Sequence, residues 1–273
     1  MPSLAFTVAA DRCIQCDACV KDCPSHIILR QGKIPSISPS SEENCIKCQH
    51  CLAVCPTAAI SIFGLKPENS LPLTEGILPS YQQMKTFVRG RRSFRQFRNE
   101  DVPVEQINAL LADLAHAPTG CNDCDLTFSV VDNRASIERL LERLVTEIEK
   151  ESNAALPEFI VESAAAYRRD GTDNFFRGAP HLLIVSPGSK ATCGQEDAVL
   201  TLSCFDLLAQ SAGIGTTWCG ILKLVADAVP GVRAILGLEP NAYFYAMMFG
   251  LPAVKYARTV QRDTAAQIRR IKG

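Results

Sequence analysis

Past residue 80 the apolar positions fall into helical and strand rhythms that alternate along the chain. Val104, Ile107, Leu110, Leu111 and Leu114 recur every three or four residues, which predicts a helix over residues 103–117. Residues 126–131 and 181–186 read as strands, and 243–250 as a buried strand. Residues 136–148 predict a charged amphipathic helix. Residues 198–212 predict a largely apolar one that stops at Gly213. A short helical stretch begins near Tyr81. These elements together predict a mixed α/β or α+β domain of ordinary size.

Between residues 64 and 80 the pattern breaks down. Pro67, Pro72 and Pro79 are interleaved with Asn69, Ser70 and Gly76, the composition of an extended connector. The expected organisation is therefore a domain over 1–64, a linker over 65–80 and a second domain over 81–273.

Composition alters this picture at one point. With 28 basic and 29 acidic side chains the net charge is −1, so there is no electrostatic case for nucleic acid or an anionic membrane surface. No apolar run is long enough to span a bilayer. The first ten residues lack the basic start and long apolar stretch of a secretory signal, so a cytoplasmic location is expected. The 13 cysteines are the abnormal count. In a non-secreted protein they point to metal ligation rather than disulfides. Eight of them lie between Cys13 and Cys55, which is the first sign of two domains.

Those eight form one pattern twice. Cys13, Cys16, Cys19 and Cys23 before Pro24 read C-x2-C-x2-C-x3-C-P, and so do Cys45, Cys48, Cys51 and Cys55 before Pro56. The offset of 32 residues also aligns Ile14 with Ile46 and Ile28 with Ile60, an internal duplication. Three cysteines at i, i+3 and i+6 can wrap one 4Fe–4S cube from a tight loop. The fourth, beside proline, points away and reaches the other cube. The spacing thus assigns Cys13, Cys16, Cys19 and Cys55 to one cluster, and Cys45, Cys48, Cys51 and Cys23 to the second. Small apolar residues between the ligands, such as Ala18 and Ala53, would shield the clusters. Structural zinc has no use for a third cysteine at the same step, and disulfides this close would be strained. His26 and His50 read as surface residues. Residues 5–63 resemble bacterial two-cluster ferredoxins, which implies a small fold of paired short strands and helices.

Four segments of the second domain carry candidate chemistry. Arg91, Arg92, Ser93 and Arg95 lie within five residues, and guanidinium forks with a hydroxyl make a phosphate grip. Phe94 and Phe97, pointing inward, argue against a purely solvated basic run. The second segment is Ala117 to Asn122, directly after a helix. The third is the glycine-rich stretch 213–220, read as a loop whose glycines let backbone N–H groups approach a flat ligand. It is not a dinucleotide fingerprint. The fourth places Lys255 and Arg258 after Gly250, Leu251 and Pro252.

In this order the four segments resemble the nitroreductase family of FMN enzymes over residues 81 to about 260, and most closely its members with a fused ferredoxin domain. The Arg177-Gly178-Ala179-Pro180 segment fits that subgroup. The resemblance implies an α+β homodimer with FMN at the interface. It implies that Arg91, Arg92 and Ser93 hold the FMN phosphate, with Lys255 and Arg258 assisting. Arg95 would lie beside the N1–O2 edge of the ring, and a positive charge there stabilises the reduced flavin. Pro118, Thr119, Gly120 and Asn122 would cover the flavin from the partner subunit, and a backbone N–H of Cys219 or Gly220 would reach flavin N5. Where the family continues Asn-x-Gln-Pro this chain has Asn122-Asp123-Cys124-Asp125, so Cys121 and Cys124 alter the substrate side. Cys204 reads as a buried small hydrophobe, Cys193 carries no assignment, His181 reads as structural and His116 suits a helix end.

The expected function follows from joining one-electron clusters to a flavin. A low-potential donor such as ferredoxin charges the clusters, and the flavin reduces a small acceptor: a nitro compound, a quinone or an activated alkene. NAD(P)H as direct donor with the clusters as exit, and a non-catalytic carrier or redox sensor, are the competing expectations. No side chain is assigned as a catalytic acid.

Overall fold

The computed structural model describes residues 4–151, 156–262 and 266–271. The chain divides into two compact units, Met1–Ser80 and Tyr81–Gly273.

The first unit repeats in its backbone the duplication seen in its cysteines. Its elements are β1 (Thr7–Val8), α1 (Ala18–Asp22), β2 (Ile28–Leu29), β3 (Ser36–Ile37), α2 (His50–Ala53) and β4 (Ile60–Ser61). β1 pairs antiparallel with β4, and β2 with β3, so each two-stranded ribbon ties segments far apart in sequence. Gln15, Asp17 and His26 adopt left-handed φ of 58°, 58° and 52°, and Lys47, Gln49 and Ala58, each 32 residues on, adopt 58°, 60° and 52°. None is glycine, so each turn costs roughly 1–2 kcal/mol of strain. Left-handed residues two apart, Gln15 and Asp17 or Lys47 and Gln49, fall inside each three-cysteine loop. Leu4, Ile27, Ile28, Leu52, Ile60 and Ile62 pack with Cys19, Cys23 and Cys51 as the buried centre.

The second unit is built on one antiparallel sheet. In chain order it contains α3 (Tyr81–Gly90), α4 (Val104–Asp113), β5 (Leu126–Val131), α5 (Arg134–Lys150), α6 (Glu158–Asp170), β6 (His181–Pro187), α7 (Gly194–Ser211), β7 (Gly215–Trp218), α8 (Gly220–Ala228), α9 (Pro230–Ile235) and β8 (Tyr245–Gly250). The strand order is β5-β6-β8-β7. Successive side chains of a strand point to opposite faces, and here both faces are covered. Leu182, Ile184, Ala246 and Met248 pack under α5, α6, α8 and α9. Leu183, Val185, Met247 and Phe249 pack under α4 and α7. This two-sided burial explains why β6 and β8 read as continuous apolar runs.

The stretch 213–220 is not the loop its glycines suggest. Gly215 to Trp218 pairs with β8, and Gly220 opens α8. Gly215 suits a strand here because the Phe94 ring fills the place of a side chain, 2.7 Å from where a Cβ would stand. α6, α8 and α9 are further elements that the apolar periodicity did not single out. Among the described residues no helix is long and apolar enough to cross a membrane.

Candidate functional site

In the first unit the two cysteine quartets surround two separate cavities. One is lined by Cys13, Cys16, Cys19 and Cys55 with Val8, Ile14, Ala18 and Ile60. The other is lined by Cys23, Cys45, Cys48 and Cys51 with Ile27, Ile28, Ile37, Ile46 and Ile62. Each cavity therefore takes three thiols from one loop and the proline-flanked thiol of the other repeat. Among the described residues no three His, Cys, Asp or Glu side chains converge on a single-ion site. The sulfurs ring a space instead of closing on a point, which suits a cubane and not tetrahedral zinc. Backbone N–H groups serve the sulfurs: Ala59 N–H donates to Cys55 Sγ at 3.2 Å. The fit of the residues to two clusters thus rests on donor chemistry and enclosure together. His50 is exposed at the edge of the second cavity, with its Nδ1 3.4 Å from Asp22 Oδ2.

In the second unit the basic segment leaves α3 and runs beside the edge strand β7. Ser93 forms a parallel bridge with Thr216, and Phe94 N–H donates to Thr216 O at 2.9 Å. Arg91 Nη1 donates to Asp206 Oδ2 at 3.1 Å, and Arg92 N–H donates to Gln210 Oε1 at 3.2 Å. Asp206 and Gln210 lie on α7, one helical turn apart. Arg95 is exposed, and its Nη1 donates to Ser93 O at 3.4 Å. The C-terminal arm returns to the same place. The Tyr256 hydroxyl donates to Ser93 O at 3.5 Å, and the Tyr256 ring lies 5.2 Å from that of Phe94. Lys255 lines a cavity of about 530 Å³ with Gly90, Phe94, Arg98, Gln210 and Tyr256. The structure therefore brings Arg91, Arg92, Ser93 and Lys255 into one neighbourhood, with Arg258 exposed further along the arm. Among the described residues, buried Arg92 Nε has no acceptor, an orphan donor in this basic segment. That donor set fits a phosphate monoester.

Pro118, Thr119, Gly120 and Asn122 lie elsewhere. Gly120 N–H donates to the buried carboxylate of Asp197 at 2.9 Å, and Thr192 N–H donates to Asp123 Oδ2 at 2.7 Å. These bonds fasten the loop to the start of α7, with the Cys193 thiol packed 2.8 Å from where a Gly120 Cβ would be. Asp197 and Asp206 are nine residues apart on α7, which is about 14 Å along the helix axis. Within one chain the covering loop and the basic segment thus occupy opposite ends of α7.

Cys219 is fully buried, and burial pushes its thiol up to about 12. It is a neutral thiol at pH 7 and not a nucleophile. Its N–H donates to Ala246 O at 2.9 Å. Of the pair Cys219 and Gly220, it is Gly220, first residue of α8, whose N–H lacks an intrahelical acceptor. His181 opens β6 and is fully buried, with Nε2 accepting from Val102 N–H at 2.8 Å and the ring stacked on Phe249. This is a structural role.

Asp197, Asp206 and Gln210 are the site residues that sequence reasoning did not name, while Thr216 and Tyr256 lie in the third and fourth segments without an assigned role. The one available signal was polar residues at i and i+4 within the otherwise apolar α7.

Comparison with known proteins gives two family matches along the chain. A profile of the nitroreductase family matches residues 88–251, and one of the 4Fe-4S dicluster domain matches residues 12–59. An iodotyrosine deiodinase from Hydra vulgaris is 26% identical over 164 residues, covering 56% of this chain and 59% of the deiodinase. The match thus spans about three fifths of that relative. The nitroreductase NfnB of Mycolicibacterium smegmatis is 27% identical over 62% of this chain and 82% of its own. Among solved structures, a nitroreductase with bound FMN from Bacteroides fragilis superposes with a TM-score of 0.54 at 26% identity, over 67% of this chain and 97% of the other. The FMN-dependent NfnB from Mycobacterium smegmatis in complex with NADPH gives 0.50 at 25% identity, over 69% and 99%.

Proposed function

The chain belongs to the nitroreductase family, and from that premise we propose that it is an FMN-dependent oxidoreductase fed by two 4Fe–4S clusters. The observation that carries this reading is the presence, in one chain, of two cysteine-lined cavities and a nitroreductase-family unit. When bound, the clusters supply single electrons and FMN supplies one- or two-electron chemistry. The donor we propose is a low-potential ferredoxin, and the acceptor a small nitro compound, quinone or activated alkene.

The residues of the chain bind and orient. Arg91, Arg92, Ser93 and Lys255 would hold the phosphate, with Arg258 assisting from the arm. Arg95, exposed beside Ser93, would present a fixed positive charge to the N1–O2 edge of the ring. Gly220 offers the free N–H at the start of α8. The covering loop with Pro118, Thr119, Gly120 and Asn122 would come from a second copy of the chain. The 14 Å offset along α7 supports this, because one chain offers the two halves of the site at different ends of the helix. Cys219 would take no part in proton transfer, since burial keeps it neutral.

A second reading has NADPH as the direct donor. It is favoured by the similarity to the NfnB structure in complex with NADPH. The test is anaerobic purification with iron and flavin analysis, followed by separate titrations with reduced ferredoxin and NADPH. About eight iron and one FMN per chain, with ferredoxin bleaching clusters and flavin alike, is the expected result. Flavin bleached by NADPH ahead of the clusters would reverse the direction of flow. Protein without FMN would end the proposal.

A further inference from the structure

α7 is apolar where it meets the sheet, with Leu202, Phe205 and Ala209 fully buried, yet it also buries the carboxylate of Asp206, which is only 5% exposed. A buried charge is a liability unless fully partnered, and an apolar residue of similar size would often stabilise the helix at least as well. Every contact of this carboxylate leads toward the basic segment. Oδ2 accepts from Arg91 Nη1 at 3.1 Å. Oδ1 accepts from Gln210 Nε2 at 2.6 Å and from the Thr216 hydroxyl. Gln210 also donates to Thr216 Oγ1 at 2.9 Å, and its carbonyl accepts from Arg92 N–H at 3.2 Å. Thr216 is the residue that bridges Ser93.

One buried network therefore fixes the side chain of Arg91, the backbone of Arg92 and the strand beside Ser93. Arg91 spends one of its five donors on Asp206 and remains partly exposed, so the rest of the fork is free to face outward.

We propose that Asp206, acting through Gln210 and Thr216, is a positioning residue that pre-orients Arg91, Arg92 and Ser93 for the phosphate group. It would thereby make the chain select FMN over riboflavin. This rests on the flavin reading above. Pre-orientation removes the entropy of ordering a long side chain on binding and leaves a charge-assisted bond aimed at the anion.

The test compares two probes on the full-length protein stripped of flavin: FMN and riboflavin, which lacks the phosphate. Each is titrated by quenching of flavin fluorescence. The wild type is expected to bind FMN much more tightly than riboflavin. Asp206→Asn is expected to weaken FMN at least about tenfold, as loss of one charge-assisted contact does, and to leave riboflavin within about twofold. In an Arg91→Gln background the same change should cost FMN less than about twofold, because the two residues act as one unit. Equal weakening of both flavins, or unchanged FMN binding, would overturn the positioning role while leaving the flavin reading intact. A wild type that binds neither flavin would overturn both. Should Asp206→Asn fail to fold, Gln210→Met severs the link to Arg92 and must show the same FMN-only loss.

Discussion

In Met1–Ser80 every strand is two residues long, and three of the nine buried residues at its centre are cysteines. In Tyr81–Gly273 a four-stranded sheet lies between two apolar layers that contain Phe175, Phe176, Phe205, Phe244 and Phe249. The first unit is below the size at which apolar burial alone gives comfortable stability, and it carries strained left-handed turns that need compensation. Its thiols must therefore do structural as well as electronic work. In the second unit the core stands by itself, and its polar network at α7 is free to serve a ligand. The contrast teaches that cofactor loss should act differently on the two: as unfolding in one, and as loss of a ligand in the other.

The largest expected effect tests this directly. Cys51→Ala removes a buried thiol from the cavity it shares with Cys23, Cys45 and Cys48. Metal binding in small domains is folding free energy. Iron should fall from about eight per chain to half or less, and residues 1–80 should become readily cleaved by protease while bound flavin remains. A variant that keeps all its iron and its resistance would show that the centre of this unit is held by its apolar residues after all.

Leu144→Ala is the counterpart in the larger unit. Leu144 is 1% exposed on α5, packed among Leu141, Val145 and Ile148. Cutting it back should cost about 2–5 kcal/mol by lost burial and a residual cavity. That would be read as a lower urea midpoint with iron content unchanged. Iron lost in step with this core substitution would erase the distinction between the units.

The same contrast explains what could be read in the sequence. Cluster ligands are local: three of four fall within seven residues, and the geometry of the cube dictates their spacing. The basic segment stood out because three arginines and a serine within five residues make a candidate phosphate grip. Its supports were not. Asp206 meets Arg91 across 115 residues, a pairing that only the packing of α7 against β7 creates. β7 was hidden because Gly213 and Gly215 flank its start, and the residue that makes Gly215 suit a strand, Phe94, is equally remote. In the same way nothing local places Cys193 against Gly120. Period showed mixed helices and strands, and the resemblance to the nitroreductase family narrowed them to α+β. The network behind the site needed tertiary contacts between positions without a common motif.

The smallest effect lies in the pH dependence of the larger unit. His181 is fully buried, and burial pushes its pKa below the ordinary value, outweighing the opposing pull of Asp101 and Asp132. Its Nε2 accepts from Val102 N–H at 2.8 Å, which requires that nitrogen to be unprotonated, and the ring lies against Phe249. The unfolded chain titrates this histidine near pH 6.5, so below that pH it binds a proton that the folded state refuses. The stability linked to His181 is then fully present above about pH 6.5 and is lost as pH falls toward the depressed folded value. The slope cannot exceed about 1.4 kcal/mol per pH unit. Carboxylates held low by their partners, such as Asp227 with Lys223 and Arg233, lose their contribution in a more acidic range and do not overlap this window. Urea midpoints between pH 7.5 and 5.5 should fall by the equivalent of about 1 kcal/mol in the wild type. In His181→Gln, whose amide oxygen can still accept from Val102, the same interval should be nearly flat. An equal decline in both proteins would place the cause in groups other than His181.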